Sequence, residues 1–381
     1  MVKTTPAIAS LAIAAVAALG LAGCATTGTP APTDGTASTV DAATATSAGD
    51  FGGLEALEAA ARAEGALNVI ALPRDWANYG AVLDAFMAKY PEITVNEAQP
   101  DISSAEEIKA AEDLAGQDTA PDVFDLGLAV AAANTDQFAE YRVAAWDDIP
   151  AALKADDARY WADYGGFMSI GYDPDVVPEP KSLEDLLGDE YRGKVALNGD
   201  PTQAGAAFAG VGLAAVQNGG SADDFQAGID FFSELNAAGN FLKVDATPST
   251  IASGEIAVTF DWDYLQAGYA KQLEGTRKWE VTIPEGTGYA GYYYQAINAE
   301  APHPAAARLW QEFLYTAEAQ NLWLAGGARP VLGSALEASG EIDAELWGAL
   351  PAAPTDFVAL TPEQSAAAGE LLGEKWAAAV Q

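Results

Sequence analysis

The chain has 381 residues, 55 of them acidic and 18 basic, and a formal charge of −37. That excess excludes nucleic acid and anionic lipid surfaces as partners, because both would repel it. The only cysteine is Cys24 and the only histidine His303, which excludes an internal disulfide and leaves little for a zinc site. In chain order, one charge, Lys3, precedes an apolar run from Ala7 to Ala22. A charged start, a short uncharged core and small residues at its end make a secretory signal over 1–23. The run is short for a spanning helix, which needs ~20 apolar residues. Residues 24–50 are mostly Thr, Ala, Gly, Ser and Pro. Such a stretch cannot bury a core and predicts a flexible tether. The remainder, 51–381, exceeds the size one core usually supports, so two lobes are expected.

LEALEAAARAE (54–64) has helical spacing and stops at Gly65. ALNVIAL (66–72) reads as a buried strand, PRDWANYG as a loop, AVLDAFMAKYP (81–91) as a helix and ITVNEA (93–98) as a strand. The next helix begins with Ser104 as N-cap and Glu107 at the capping-box position. PDVFDLGLA (121–129) is a third strand. The alternation of strand and helix predicts α/β architecture, with mostly parallel sheets flanked by helices. Ligands then bind beyond the carboxyl ends of the strands, which puts Arg74, Asp75, Trp76, Tyr79 and Asp125 near a site. GGFMSIGYDPDVV (165–177) is the next strand, KSLEDLLGDEYRG a helix, and KVAL the following strand. ADDFQAGIDFFSELNAAG (222–239) is an amphipathic helix. IAVTF (256–260) is a strand followed by a loop and a helix, and 279–300 is extended. A helical stretch begins near His303, and Thr361 caps a final helix.

Leu21-Ala22-Gly23-Cys24 resembles the lipobox of bacterial lipoproteins. That resemblance implies cleavage before Cys24 and lipidation of its sulfur, outside the cytoplasmic membrane, in the periplasm or at the cell surface. Five phrases, in order, resemble the extracytoplasmic solute-binding proteins of ABC importers, in the group of iron(III), thiamine, polyamine and aminophosphonate binders. They are AARAEGALNVIAL, PDVFDLG, GGFMSIGYDPDVVPEPKSLEDLLGDEYRGKVAL, ASGEIAVTFDW and AGYYYQAINAEAPHPAAARLWQEFLYTAEAQNLWLAGGARPV. The resemblance covers most of 54–335. It implies a two-lobed, type II periplasmic-binding-protein-like fold, with hinge strands near 164–171 and 284–292. Lobe 1 would comprise 51–164 and 287–381, and lobe 2 residues 165–286. It also implies a permease and its ATPase as partners, a monomeric receptor, no cofactor and no chemistry on the solute.

Iron binders of that group carry adjacent tyrosines after the strand that aligns with IAVTF. Here the place holds Asp261-Trp262-Asp263-Tyr264, without the tyrosine pair. Two carboxylates around a Trp suit an organic ammonium ion, through charge-assisted hydrogen bonds and a cation–π contact of ~0.5–2 kcal/mol. Packing of Trp262 in the lobe core, with the acids capping the next helix, is the alternative. In NGDPTQAG (198–205), Asp200 could serve a cation, Thr202 and the helix start an anion, or the phrase could be a simple turn, and Gln203 is carried with them as a ligand candidate. Arg74 could hold a ligand carboxylate or pair with a surface acid. In GYYYQAI, Tyr292 and Tyr294 share one face of a strand and Tyr293 the other. One face meets the cleft, and Tyr292 and Tyr294 are carried as the candidates. The alternation argues against a tyrosine metal cluster.

The expected function is capture of a small solute, polyamine-like or another organic ammonium compound, for an ABC importer. Ferric iron or a phosphonate or carboxylate anion is the alternative cargo. A hydrolase or a structural envelope lipoprotein is the alternative class. For an enzyme, Ser169 in GFMSIG departs from G-x-S-x-G, and neither a P-loop nor H-E-x-x-H is present.

Overall fold

The computed structural model describes residues 40–381, which form one compact unit. The signal, the lipobox-like phrase and residues 24–39 of the expected tether lie outside the described residues. The rest of that expected tether is folded. Ala48–Phe51 make a 3-10 turn, Ala45 is buried, and the carbonyls of Ala43 and Ala45 accept hydrogen bonds from Arg308 at 2.8 Å each. A buried guanidinium needs acceptors, and this small-residue segment supplies them with its backbone.

The first half of the molecule begins with α1 (Leu54–Glu64), which ends where Gly65 turns left-handed at φ 75°. Then follow β1 (Ala66–Ile70), α2 (Tyr79–Lys89), β2 (Thr94–Ala98), α3 (Ser104–Asp113), β3 (Val123–Gly127) and α4 (Leu128–Ala133). β1 and β2 pair in parallel, and Asp122 N donates to Asn68 O at 2.9 Å to bring the start of β3 beside β1. The cap of α3 lies one residue earlier than expected, with Ser103 and Glu106 forming the capping box. Ser104 and Glu107 instead turn inward and accept from the backbone N–H groups of Gly127 (3.1 Å) and Asp125 (3.2 Å). Those otherwise unpaired donors of β3 decide the register of the cap.

β4 (Trp161–Tyr172) is buried along its whole length. Its first part pairs antiparallel with β8 (Gly288–Ile297) and with the two-residue β9 (Arg329–Pro330). Its last part pairs with β6 (Val258–Trp262) and β7 (Glu280–Thr282). The change of partners falls after Gly165 and Gly166. A Cβ on Gly165 would lie 2.2 Å from Gly291 O, and one on Gly166 2.3 Å from an Asp263 carboxylate oxygen. Only glycine lets the backbones approach this closely.

The second half holds β5 (Val195–Leu197), α5 (Gly205–Gln217), α6 (Gln226–Ala237), α7 (Pro248–Ser253), β6, α8 (Asp263–Gln272) and β7. β5 and β6 are parallel. The parallel part of the fold is therefore confined to β1–β2, β5–β6 and the short β10 beside β8, while the long strands are antiparallel. The segment 181–193 is not one helix but two 3-10 turns, Glu184–Leu187 and Asp189–Tyr191, parted by the extended Gly188. β6 starts two residues later than expected, because the N–H of Ile256 is taken by Thr250 O at the end of α7. It runs straight into α8 with no loop between.

After β8 the chain forms α9 (Pro304–Leu314), α10 (Ala317–Ala325), β9, α11 (Gly333–Ser339), α12 (Ala344–Ala349), β10 (Phe357–Val358) and α13 (Pro362–Ala379). α9 buries Trp310 edge-on against Phe86 of α2, with centroids 5.1 Å apart. α13 starts at the expected Thr361 cap, which pairs with Gln364. It packs on both halves of the molecule. Trp376 packs on Phe232 of α6 at 5.5 Å, and the same helix touches α4.

Candidate functional site

A cleft of about 790 Å³ opens between the two halves. From the first half it receives the residues that follow β1 (Pro73, Asp75, Trp76), those that follow β2 (Asp101 to Glu107) and Asp125 of β3. The second half supplies the stretch after β5 (Asn198 to Asp200, Gln203), the stretch before α7 (Asp245 to Ser249), and Tyr269 and Gln272 of α8. Tyr293 of β8 closes it from the side. These are carboxyl ends of strands, where α/β sheets place ligands. The loop after β1 is strained, with Ala71, Ala77 and Asn78 at φ 54°, 46° and 66°.

The lining carries Asp75, Asp101, Glu106, Glu107, Asp125, Asp200 and Asp245, and no Lys, Arg or His. Glu107 and Asp125 are the buried ones among them, at 1% and 6% exposure. Asp125 Oδ2 accepts from the hydroxyls of Tyr79 (3.0 Å) and Tyr164 (3.1 Å), and Trp76 Nε1 donates to the Tyr164 hydroxyl at 2.9 Å. Its Oδ1 is buried with no partner. Burial pushes the Asp125 carboxyl up, against the hydrogen bonds from Tyr79 and Tyr164 that hold it down. Glu107 is pushed up by burial and by the neighbouring Asp125 charge. An orphaned buried oxygen costs ~1–3 kcal/mol, more when charged, so this atom is primed to accept a donor from the cleft. Aromatic rings stand around it. Tyr293 stacks on Tyr164 at 5.8 Å and meets Trp76 edge-on at 5.6 Å.

The acid–aromatic phrase 261–264 does not reach the cleft. Because β6 extends to Trp262, Asp261 is a fully buried strand residue. Its Oδ2 accepts from Asn198 Nδ2 and the Tyr269 hydroxyl, both at 2.9 Å, and its Oδ1 from Trp262 N. Burial pushes it up to about 7. Asp261 thus holds two cleft-lining side chains from behind. Trp262 is buried parallel to Tyr264 at 6.4 Å, and Tyr264 packs edge-on to Tyr164 at 5.8 Å. Asp263 accepts from the N–H groups of Phe167 (3.1 Å) and Tyr264 (3.0 Å). Burial raises it to about 6, with Arg329 opposing. The core-packing alternative for Trp262 is the one observed.

Other expectations are also corrected by the geometry. Arg74 points away from the cleft into ion pairs with Asp84 and with Glu97 (2.7 Å). Tyr79 is fully buried and touches the cleft only through Asp125. Thr202 N and Oγ1 both bond Asp200 Oδ1, at 2.8 and 2.7 Å, in a local turn. Asp200 and Gln203 do line the cleft. Thr202, Tyr292 and Tyr294 do not line the cleft but a smaller apolar cavity of about 100 Å³, to which Tyr293 and Gln203 contribute as well. Tyr293 is the tyrosine that faces the solute side. Trp76 and Asp125 stand where the sequence put them. Sequence reasoning missed Glu107, Asp101, Asp245, Asn198 and Tyr269. Only Glu107 carried a signal, as a glutamate one position past the true cap. Among the described residues, no group of three or more His, Cys, Asp or Glu side chains is placed to hold a metal ion.

Residues 118–356 match the family model of bacterial extracellular solute-binding proteins. The chain belongs to that family. This solute-binding protein also has the fold of several solved relatives. The periplasmic binding protein AfuA from Actinobacillus pleuropneumoniae, solved with exogenous fructose-6-phosphate, shares 18% identity at a TM-score of 0.65, over 83% of this chain and 98% of that one. A substrate-binding protein of an ABC transporter from Agrobacterium tumefaciens shares 17% at 0.64, over 83% and 94%. The ferric binding protein from Campylobacter jejuni shares 14% at 0.61, over 82% and 99%. No curated protein matches by sequence. The solute-binding protein works outside the cytoplasm, binds a solute, and is not an enzyme.

Proposed function

We propose that this solute-binding protein captures a small organic ammonium compound, of polyamine-like or related chemistry. The observation that carries the reading is Asp125 Oδ1, buried and unpartnered at the floor of a cleft that offers carboxylates and no basic side chain. An ammonium N–H would satisfy that oxygen and lie against the faces and edges of Trp76 and Tyr293. A phosphonate or carboxylate would meet repulsion from Asp125, Glu107 and Asp200 instead. The two halves act as lobes that close on the solute about the crossing of β4 and β8. A lipid on Cys24 tethers the receptor beside a permease and its ATPase, and replacing Cys24 by Ala releases it into the soluble envelope fraction.

The test is a thermal-shift and calorimetric screen of the chain from residue 40 onward. The panel holds diamines, quaternary amines, amino acids, aminophosphonates, phosphate and ferric citrate. Ligand at ~100 times its dissociation constant stabilises by ~2.7 kcal/mol. Stabilisation by an amine, lost in Asp125→Asn, supports the reading. Stabilisation by ferric citrate or by anions alone overturns it.

A further inference from the structure

Beneath Asp125 lies a second carboxyl, Asp163 of β4, fully buried and without access to the cleft. The two share Tyr79. Its hydroxyl oxygen is 3.0 Å from Asp125 Oδ2, 3.3 Å from Asp163 Oδ2 and 3.1 Å from Gln295 Nε2. Counting hydrogens over these contacts decides the protonation. Gln295 can only donate through Nε2, and its orientation is set by Gln311 Nε2, which donates to Gln295 Oε1 at 3.0 Å. Its two hydrogens go to Tyr79 and to Asp163 Oδ2, the latter at 2.8 Å. Tyr79 has one hydrogen and two carboxylates to satisfy. Two ionised carboxylates would leave one of these contacts lone pair against lone pair.

We propose that Asp163 stores a proton under the cleft floor, donates it to Tyr79, and so leaves Asp125 as the anion of the pair, matched to one ammonium group of the solute. The inference rests on the cation-receptor reading for the identity of that group. The hydrogen belongs on Asp163 rather than Asp125 for two reasons. Asp125 Oδ2 already accepts two hydroxyls, from Tyr79 and Tyr164, and its Oδ1 has no acceptor to which a proton could be given. Asp163 Oδ2 can donate to Tyr79 while accepting from Gln295, and its Oδ1 accepts from Tyr164 N at 2.7 Å. The chain of donors then runs from Asp163 through Tyr79 to Asp125 and ends at the free oxygen beside the cleft. The polar and ionisable groups around the pair are Glu107 of α3, Tyr79 of α2, Tyr164 of β4, Tyr293 and Gln295 of β8, Tyr264 of α8 and Tyr315 after α9. None is cationic. Burial and the Asp125 charge push the Asp163 carboxyl well up, in keeping with the hydrogen count.

Infrared difference spectroscopy of the solute-free protein tests this. At about pH 8 an ordinary aspartate, with pKa ~3.9, is fully ionised. A protonated carboxyl C=O band is expected at that pH in the wild type, and loss of one component of it is expected in Asp163→Asn, apart from any component of the buried Glu107, which Glu107→Gln identifies. If Asp163→Asn does not fold, Tyr79→Phe keeps the ring and removes the acceptor, and the band should shift. The proposal is overturned if no component of the wild-type band is lost in Asp163→Asn, or if Tyr79→Phe leaves that component unmoved. No solute is present, so failure here leaves the cation reading standing. Failure of every amine to bind would remove the ammonium group without touching the stored proton.

Discussion

Asp125 and Asp261 are both buried aspartates at the carboxyl ends of strands, one in each half of the molecule. Both are pushed up by burial. They differ in how their oxygens are spent. Asp261 gives both to the protein, accepting from Asn198, Tyr269 and the backbone of Trp262. Asp125 gives one to two tyrosines and leaves the other buried beside the cleft with nothing on it. A satisfied buried carboxylate holds structure, whereas an unsatisfied one at a cavity is held ready for something that arrives.

The sharpest way to break this contrast is to neutralise each acid in turn. Asp125→Asn is expected to weaken amine binding about 100-fold, since charged hydrogen bonds of this kind carry ~1.5–3 kcal/mol, and to leave folding stability nearly unchanged or slightly improved. Isothermal titration and urea melts read the two outcomes, and equal loss of both would erase the distinction.

Asp261→Asn should instead act on stability, with a pH signature. The folded Asp261 pKa of about 7 lies above the unfolded value, so its protonated form favours the fold at acid pH. That contribution is full below ~4 and is lost as pH rises toward 7, at roughly 1.4 kcal/mol per unit. The variant lacks this loss, so its stability relative to wild type should rise across that window. A pH-independent difference would mean that Asp261 is not protonated in the fold.

Smaller effects sharpen the picture. Trp76→Leu removes a ring beside Asp125 and the donor to Tyr164, and should cost amine affinity about five- to thirty-fold, in line with ~1–2 kcal/mol. Tyr292→Phe, on the far side of β8, should leave affinity alone. Ser103→Ala should cost ~1 kcal/mol of stability through the α3 cap. Arg74→Ala should change amine affinity less than twofold and stability by at most ~1 kcal/mol, because its ion pairs are exposed.

Much of the fold was legible because local rules suffice for it. Gly65 and Thr361 ended and began helices where expected, and the strands of the first half fell within a residue or two. The family resemblance carried the architecture. The site was legible in part, at Trp76 in the loop after β1, at Asp125 within β3, and at Asp200 and Gln203 after β5. Misplacement elsewhere came from tertiary hydrogen bonds. The pairing of β6 with β4, Ser169 against Asp261 and Met168 against Trp262, carries the strand on to Trp262 and buries both residues instead of exposing them in a loop. The face of β8 is set by its pairing with β3, Asp125 against Gln295 and Gly127 against Tyr293, which no local pattern encodes. Asp101, Asp245 and Tyr269 reach the cleft from separate stretches of chain, brought there by folding alone.

The run of carboxylates around the cleft has one more consequence. Seven acidic side chains converge on about 790 Å³ with no basic residue among them. Such a space fills with mobile sodium, potassium or protons before any solute arrives. For the proposed ammonium solute, capture is an ion exchange, and the ions released on binding drive part of it. Apparent affinity for an amine should fall as salt rises, and the receptor will work best where its surroundings are dilute.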